Sequence, residues 1–167
     1  MLSHGRRLRE EINKGEILPL IGVYDVFSAT IAAQHYNGLF MSGFGFAASY
    51  YGLPGLKVKK IIILQILDIG FIAWPDIVDW VRRVRTILPE VHIVVDIDDG
   101  YCDTEVACHV VSLLEQAGAS AVVMEDQKRP RRCGHFEGKQ LLELDQFVDK
   151  LRRVLSTRYL YRNPSFN

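Results

Sequence analysis

Residues 92–101 read HIVVDIDDGY, and this stretch decides the fold class. Its first half is a run of apolar and β-branched residues, which is typical of a strand buried on both faces of a parallel sheet. Its second half is a cluster of aspartates followed by Gly100, where the strand gives way to a turn. We therefore predict a strand over His92–Asp98 with acidic side chains at its carboxyl end.

Strands and helices alternate on both sides of this stretch. Further strands are predicted over Ile17–Val23, Gly38–Gly43 and Ala121–Asp126. Helices are predicted over Val26–Tyr36, Pro75–Leu88, Thr104–Ala117 and Leu141–Leu155, with Asp25 and Asp103 as N-caps of the first and third. Four βα units with a parallel sheet follow, but the alternation does not separate a doubly wound sheet from a (β/α)8 barrel. A complete barrel needs about 250 residues, whereas the chain has 167.

Composition and charge exclude several classes of protein. Apolar residues make up 49% and charged residues 24%, which excludes a disordered or collagen-like chain. The formal net charge is +0, so no global basic field attracts nucleic acid or anionic lipid. The longest apolar run, residues 61–67, is too short to span a membrane, and no secretory signal is visible. Three cysteines suit a reducing compartment, and we expect a cytoplasmic protein without nucleic-acid or membrane partners.

Two segments do not fit the alternation. Residues 55–67, GLKVKKIIILQIL, combine a basic cluster with a β-prone apolar run, and we interpret them as an atypical insertion. Residues 156–167, STRYLYRNPSFN, are polar, aromatic and aperiodic, and we predict an irregular tail that frays.

Acidic residues follow two of the predicted strands. Asp96 and Asp98 are two positions apart, so they would point to the same side of a strand. Like charges this close repel, and oxygen ligands favour Mg²⁺ or Mn²⁺ over zinc as the compensating cation. A solvated aspartate-rich turn explains the same pattern equally well. Glu125, after the next strand, could orient metal-bound water, although the pattern alone favours a loop acid paired with Arg129, Arg131 or Arg132.

A cysteine lies in a basic loop, and a serine–glycine pair ends an earlier strand. Cys133 is flanked by guanidinium groups and an imidazole in RRCGH, residues 131–135, which favours the thiolate of a nucleophile or a general acid/base. An inert cysteine is the plain alternative. A zinc site built from Cys102, Cys108, His109, Cys133 and His135 matches no standard spacing.

Gly43 would let the backbone approach an anionic ligand, to which Ser42 could donate a hydrogen bond.

Taken in order, these segments resemble the isocitrate lyase/phosphoenolpyruvate mutase superfamily. The motifs are GVYD at 22–25, SG at 42–43, GLP at 52–54, DIDDGY at 96–101, EDQ at 125–127 and RCGH at 132–135. The resemblance covers roughly residues 15–155. It implies a (β/α)8 TIM-type barrel, usually oligomeric, with a Mg²⁺ site at the carboxyl ends of the strands. Only about the first four βα units are matched, so residues 1–167 would form a single incomplete barrel domain.

The resemblance also implies an activity. Lyase members cleave a carbon–carbon bond of small 2-hydroxy di- and tricarboxylic acids through an enolate, whereas mutase members move a phosphoryl group between carbon and oxygen. The Cys-Gly-His loop is typical of the lyase-like branch. We therefore expect a Mg²⁺-dependent carbon–carbon lyase, impaired by truncation. The alternatives are a carboxyphosphonate or phosphoenolpyruvate mutase-type enzyme, and an inactive fragment that associates with full-length homologues.

Roles for individual residues follow from the resemblance alone. Asp96 and Asp98 would bind Mg²⁺ (or Mn²⁺), with Glu125 acting through water. Ser42 and Gly43 would contact the substrate carboxylate. Cys133 would exchange a proton with the carbanionic product, with Arg132, Gly134 and His135 as its loop neighbours.

The sequence also departs from the family pattern. Phe44 stands where a small residue is common and would narrow the substrate pocket. Asp68 is interpreted as the displaced counterpart of an acid that faces the site, and Arg131 replaces a lysine typical of lyases. Because four strands leave sheet edges unpaired, we expect the isolated chain to be unstable or a homo-oligomer.

Overall fold

The computed structural model describes residues 3–51, 73–132 and 137–160. The helices are α1 (His4–Asn13), α2 (Val26–Ala32), α3 (Gly43–Tyr51), α4 (Trp74–Ile87), α5 (Thr104–Ala117) and α6 (Leu144–Leu160). The strands are β1 (Leu20–Val23), β2 (Gly38–Met41), β3 (His92–Asp96) and β4 (Ala121–Val123). None of the helices in these ranges combines the length and the apolar character needed to cross a bilayer.

The strands form one parallel sheet in the order β1-β2-β3-β4. Val23 lies opposite Met41, Met41 opposite Val95, and Val95 opposite Val122. A doubly wound sheet reverses its strand order at a switch point, whereas this sheet runs in chain order throughout. The predicted α/β fold with a parallel sheet is therefore confirmed, and the strand order is that of a barrel.

The core lies around β2 and β3 and beneath α4 and α5. The side chains with 0% exposure include Leu39 and Met41 of β2, Ile93 and Val95 of β3, Val81 and Val84 of α4, and Val110 and Leu114 of α5. Burying one such side chain stabilises the fold by about 1.5–3 kcal/mol. This packing fixes the two strands whose carboxyl ends carry the predicted site.

Local capping explains the helices that the sequence located best. The Asp25 carboxylate accepts a hydrogen bond from the Ser28 N–H at 2.6 Å, and the Ser28 hydroxyl oxygen accepts one from the Asp25 N–H at 3.1 Å, which closes a capping box. The Asp103 carboxylate accepts from the Val106 N–H at 2.9 Å. Gly118 ends α5 with a φ of +96°, a left-handed conformation that suits glycine. Both predicted N-caps are confirmed.

Two helices were not predicted. The first, α1, is mostly polar and contributes Leu8 to the buried residues. The second, α3, replaces a predicted strand end, since β2 stops at Met41. Its first turn forms because the Ser42 carbonyl accepts from the Phe46 N–H at 3.1 Å, and the Phe46 ring stacks on Trp80 with centroids 4.7 Å apart. The aromatic and glycine-rich sequence of α3 gave no helical periodicity.

The predicted strands β1, β3 and β4 are too long at one end. The first begins at Leu20 rather than Ile17, which is 95% exposed. The third and fourth end at Asp96 and Val123 rather than at Asp98 and Asp126, because the backbone then turns.

Helix ends also differ from the predictions. The helix α2 ends at Ala32, and α6 begins at Leu144 because Leu141 instead bridges Gln127. An irregular tail from Ser156 is wrong for residues 156–160, which continue α6. There the Ser156 and Thr157 hydroxyls donate to the Arg153 carbonyl. Residues 161–167 and the atypical insertion at 55–67 lie outside the described residues, and the extent of the domain stays a prediction.

Candidate metal and carboxylate site

The carboxyl ends of β2, β3 and β4 lie at one edge of the sheet, because the strands are parallel and in register. Three groups of predicted site residues leave the sheet there: Ser42–Phe44 after β2, Asp96–Asp98 at the end of β3, and Glu125 after β4. This edge is where parallel α/β barrels place their active sites. The fold thus brings residues from distant parts of the chain to one end.

The backbone holds Asp98 and Glu125 side by side. The Ile97 N–H donates to the Val123 carbonyl at 3.0 Å, and the Glu125 N–H donates to the Asp98 carbonyl at 2.7 Å. These two bonds continue the pairing of β3 with β4 beyond the strands themselves. The two acids are therefore fixed as neighbours by main-chain geometry.

The turn after β3 sets the direction of Asp98. Its φ is +53°, in the left-handed region that aspartate tolerates better than most residues. The Asp98 N–H donates to the Asp96 carboxylate at 3.0 Å. Strand alternation, from which we predicted that both aspartates point the same way, does not apply because β3 ends at Asp96.

The guanidinium of Arg131 contacts both Asp98 and Glu125. Its Nη2 donates to Asp98 Oδ1, and its Nη1 lies 3.8 Å from Glu125 Oε2. The Arg131 side chain is 6% exposed, so this cation is buried among the acids. One cation thus reaches both carboxylates, and the loop-arginine partner that the sequence suggested for Glu125 is present.

Gln127 ties Glu125 to the loop that follows it. Its Nε2 donates to Glu125 Oε2 at 2.8 Å and to the Arg132 carbonyl at 3.0 Å. Its Oε1 accepts from the Arg132 N–H at 3.0 Å. Gln127 is buried, and these bonds use both ends of its amide. In the sequence Gln127 is only part of the EDQ motif at 125–127, and its position two residues after Glu125 is the signal that could have identified it.

The turn between β3 and α5 is anchored from two sides. Asp99 accepts a two-pronged ion pair from Arg129, and its backbone carbonyl accepts from the Lys150 ammonium of α6. Burial lowers the pKa of Lys150. Gly100 has a φ of +83°, and an added Cβ would lie 2.8 Å from the Ala107 Cβ. Only glycine fits this position without displacing a neighbour.

Tyr101 lies close enough to Asp98 and Asp96 for their charges to affect its phenol. Burial raises the pKa of Tyr101, and the charges of Asp98 and Asp96 raise it further. The phenol therefore remains a hydrogen-bond donor throughout the neutral and mildly alkaline range.

Ser42, Gly43 and Phe44 lie at the start of α3. The Ser42 carbonyl accepts the first hydrogen bond of the helix, so the free N–H groups of its first turn lie at the same edge of the sheet as the acids. A Cβ on Gly43 would meet no atom within 4 Å, which leaves space at this turn. Phe44 is 42% exposed. A helix amino terminus with open space beside it suits a carboxylate ligand.

The structure does not test the whole predicted set. Cys133, Gly134, His135 and Asp68 lie outside the described residues. Arg132 is exposed, and its Nη1 donates to the Glu137 carbonyl at 3.2 Å, which places this guanidinium against its own loop. Among the residues described, no three His, Cys, Asp or Glu side chains are grouped closely enough to hold a metal ion together.

The acids nevertheless fit a hydrated magnesium ion. Mg²⁺ keeps several waters and needs only one or two carboxylates from the protein. Asp98 and Glu125 already converge on one cation, the guanidinium of Arg131. The donor set contains oxygen alone, which suits Mg²⁺ or Mn²⁺. Cys108, a residue of the zinc alternative, is instead buried in α5.

Known proteins share this architecture. The family profile described as phosphoenolpyruvate phosphomutase matches residues 8–160. The chain is 29% identical to 2-methylisocitrate lyase of Vibrio cholerae, across 99% of this chain and 48% of the relative. It is 30% identical to the chloroplastic carboxyvinyl-carboxyphosphonate phosphorylmutase of Arabidopsis thaliana, across 87% and 39% of the two chains. The crystal structure of 2,3-dimethylmalate lyase superposes with a TM-score of 0.80 at 25% identity, covering 98% of this chain and 50% of that one.

The strand order and these neighbours define the chain as an α/β protein of the TIM-barrel type. It belongs to the phosphoenolpyruvate phosphomutase family, within the PEP mutase/isocitrate lyase superfamily. The resemblance inferred from the motifs is confirmed. The chain spans about half the length of the curated relatives it matches.

Proposed function

We propose that this chain supplies the metal-binding half of a Mg²⁺-dependent (or Mn²⁺-dependent) carbon–carbon lyase for small 2-hydroxy di- and tricarboxylic acids. The observation that carries the proposal is the convergence of Asp98 and Glu125 on one cation at the carboxyl edge of the sheet. Relatives named 2-methylisocitrate lyase and 2,3-dimethylmalate lyase support the substrate class. The RCGH motif at 132–135 supports the lyase branch over the mutase branch.

In this mechanism the acids bind the metal ion, and the first turn of α3 orients the substrate. Asp98 and Asp96 would hold the metal, and Glu125 would orient its bound water. When bound, the metal neutralises the negative charge that develops on the substrate oxygens. The Ser42 hydroxyl and the N–H of Gly43 would donate to the substrate carboxylate.

Proton transfer falls to the basic loop. The substrate hydroxyl would lose its proton to water and become a carbonyl, while cleavage would leave the electron pair of the carbon–carbon bond on carbon as an enolate. The Cys133 thiol would then give its proton to that carbon. The resulting thiolate would be stabilised by Arg132 and His135. Tyr101, which keeps its proton, would donate a hydrogen bond at the acid cluster.

Two alternatives have support of their own. The Arabidopsis thaliana relative named as a phosphorylmutase favours a mutase-type reaction. The outer strands β1 and β4, each with one neighbouring strand among the described residues, favour an inactive fragment that associates with full-length homologues. We further propose a small carboxylate as substrate, a homo-oligomeric state and a cytoplasmic location.

A substrate panel tests the proposal. The chain is incubated with 2-methylisocitrate or 2,3-dimethylmalate, with Mg²⁺ or with EDTA, and 2-oxo acid release is measured, while ³¹P NMR follows phosphonopyruvate formation from phosphoenolpyruvate. We expect weak Mg²⁺-dependent lyase turnover, because the chain supplies one half of the enzyme; Asp98→Asn should abolish it, and Asp149→Asn, at an exposed site on α6, should leave it intact. Turnover in EDTA contradicts the proposal. Phosphonate formation supports the mutase, and co-purification with a full-length homologue without turnover supports the inactive fragment.

A further inference from the structure

The Arg131 guanidinium contacts both Asp98 Oδ1, an oxygen that a metal ion on Asp98 would use, and Glu125 Oε2. We propose that Arg131 is an internal counter-cation that competes with the divalent metal for these two carboxylates, an inference that rests on the proposed function. Metal binding would release the guanidinium from Asp98, and the guanidinium would in turn set how tightly the metal binds.

Burial makes this contact specific. The Arg131 side chain is 6% exposed, whereas those of Asp98 and Glu125 are 19% and 38% exposed. A buried guanidinium is retained only where carboxylates compensate its charge. Its planar fork suits two separate acceptors, because Nη1 and Nη2 diverge toward Glu125 and Asp98. The arginine therefore neutralises the acid pair when no metal is bound.

The competition follows from charge and geometry. Asp98 Oδ1 accepts from Nη2, so a metal ion that binds this oxygen must displace the guanidinium. A metal ion elsewhere on the pair would still be repelled by a fixed positive charge within a few ångströms. This coupling is reciprocal. Arg131 weakens metal binding by the same free energy by which a bound metal weakens the contact of Arg131 with the acids.

The loop has other anchors that remain when Arg131 moves. Gln127 binds the backbone of Arg132 through two hydrogen bonds, and Arg129 is engaged with Asp99. The Arg131 guanidinium can therefore leave the acids while the backbone around it stays attached. This separation makes an exchange of cations possible without unfolding the site.

Metal titration tests the inference. Mn²⁺ binding to the 167-residue chain is measured by electron paramagnetic resonance and calorimetry for the wild type, Arg131→Gln, Arg131→Lys and Lys128→Gln. Lys128→Gln is the matched control, because it removes the same charge from an exposed position three residues away. We expect Arg131→Gln to tighten Mn²⁺ binding by about tenfold or more, and Lys128→Gln to change it by less than about twofold. Arg131→Lys should fall closer to the wild type, because the charge is kept.

A second measurement works on the wild type alone, in case Arg131→Gln does not fold. Mg²⁺ is added while the Arg131 Nε–Hε resonance is followed by NMR, and we expect this resonance to shift with the binding isotherm while that of Arg129 stays fixed. Equal Mn²⁺ affinities for Arg131→Gln and Lys128→Gln, or an unmoved Arg131 resonance at saturating Mg²⁺, overturn the competition and leave the metal site standing. No uptake by any variant overturns the metal site of the proposed function as well.

Discussion

Asp99 is 2% exposed, and both of its carboxylate oxygens accept hydrogen bonds from Arg129, at 2.6 Å from Nε and 2.8 Å from Nη2. The two residues are 30 positions apart in the chain. This pair joins the turn after β3 to the loop after β4, so it supports the site without belonging to the acid cluster.

Removing the arginine should leave a buried charge. Arg129→Gln is expected to lower the free energy of unfolding by about 1–3 kcal/mol; the value is below that of a fully buried pair because the Arg129 side chain is 50% exposed. Urea denaturation measures the change. Arg152→Gln is the control, since its ion pair with Asp149 is exposed on both sides and should contribute less than about 0.5 kcal/mol. Equal effects of the two substitutions would show that the buried pair does not stabilise the turn.

Gly100 is expected to tolerate no side chain. Its φ is +83°, and a Cβ there would lie 2.8 Å from the Ala107 Cβ and 3.1 Å from the Met124 Sδ. Gly100→Ala should therefore cost about 1–3 kcal/mol of stability from strain and displaced packing. Gly22→Ala in β1 is the control, because a Cβ there meets no atom within 4 Å. A thermal midpoint for Gly100→Ala that matches the control would contradict this account.

The sequence located the elements whose signals are local. The bounds of α5 agree with the prediction because Asp103 caps its start and Gly118 its end, and both residues flank the helix directly in the sequence. The helix α1 was missed although it carries local signals, the Ser3 N-cap and the Arg6–Glu10 ion pair, whereas α3 was missed because the contact that stabilises it is tertiary. In α3 the decisive contact is the stacking of Phe46 on Trp80, which no short sequence window contains.

The same distinction holds at the site. The acids were found because they follow strands, and strand ends are readable from the apolar runs that precede them. Arg131 was named as one of three possible partners of Glu125 and as a departure from a family pattern. Its contact with Asp98 was not predicted, because that contact spans 33 positions and the burial of Arg131 depends on the fold around it. The role of Gln127 was not predicted for a similar reason, because its hydrogen bonds to the backbone of Arg132 depend on the path of the loop.

Acid should destabilise the end of the sheet opposite the site. Burial lowers the pKa of His92, Arg7 lowers it further, Arg85 and Lys14 add to this, and Glu11 opposes it. A histidine with a folded-state pKa below its ordinary value of 6.5 binds fewer protons in the folded than in the unfolded state. The contribution of neutral His92 to the free energy of unfolding is therefore fully present above the pKa that His92 has in the unfolded state. It is lost as the pH falls from there toward the lower pKa of the folded state.

Replacing His92 should flatten this dependence. We expect His92→Leu to lose less stability than the wild type between neutral pH and mildly acidic pH in urea titrations. His4, whose pKa burial also lowers, remains in the variant and leaves a residual slope. Gln34→Leu, which removes no titratable group at an exposed position, should follow the wild-type curve. A His92→Leu curve parallel to the wild type would show that His92 stays unprotonated or gains protons equally in both states.

The outer strands should drive self-association of the 167-residue chain. Among the described residues β1 and β4 each pair on one side only, and both expose apolar side chains there, with Leu20 at 42% and Val123 at 44%. A cavity of about 600 Å³ lies beside β4, between α1 and α6. Parallel edges of this kind pair readily with further strands, and two copies joined from β4 to β1 supply the eight strands of a closed barrel.

Size-exclusion chromatography with light scattering measures this association. The wild-type chain should elute as a dimer or larger species, and Val123→Lys should shift it toward the monomer, because a charge on an edge strand opposes pairing. Ile87→Lys is the matched control, since Ile87 is 56% exposed at the end of α4 and away from both edges. A monodisperse wild-type monomer with one cooperative thermal transition would show that the outer strands of the described sheet need no partner chain. An equal effect of both lysine substitutions would place the contact away from the sheet edge.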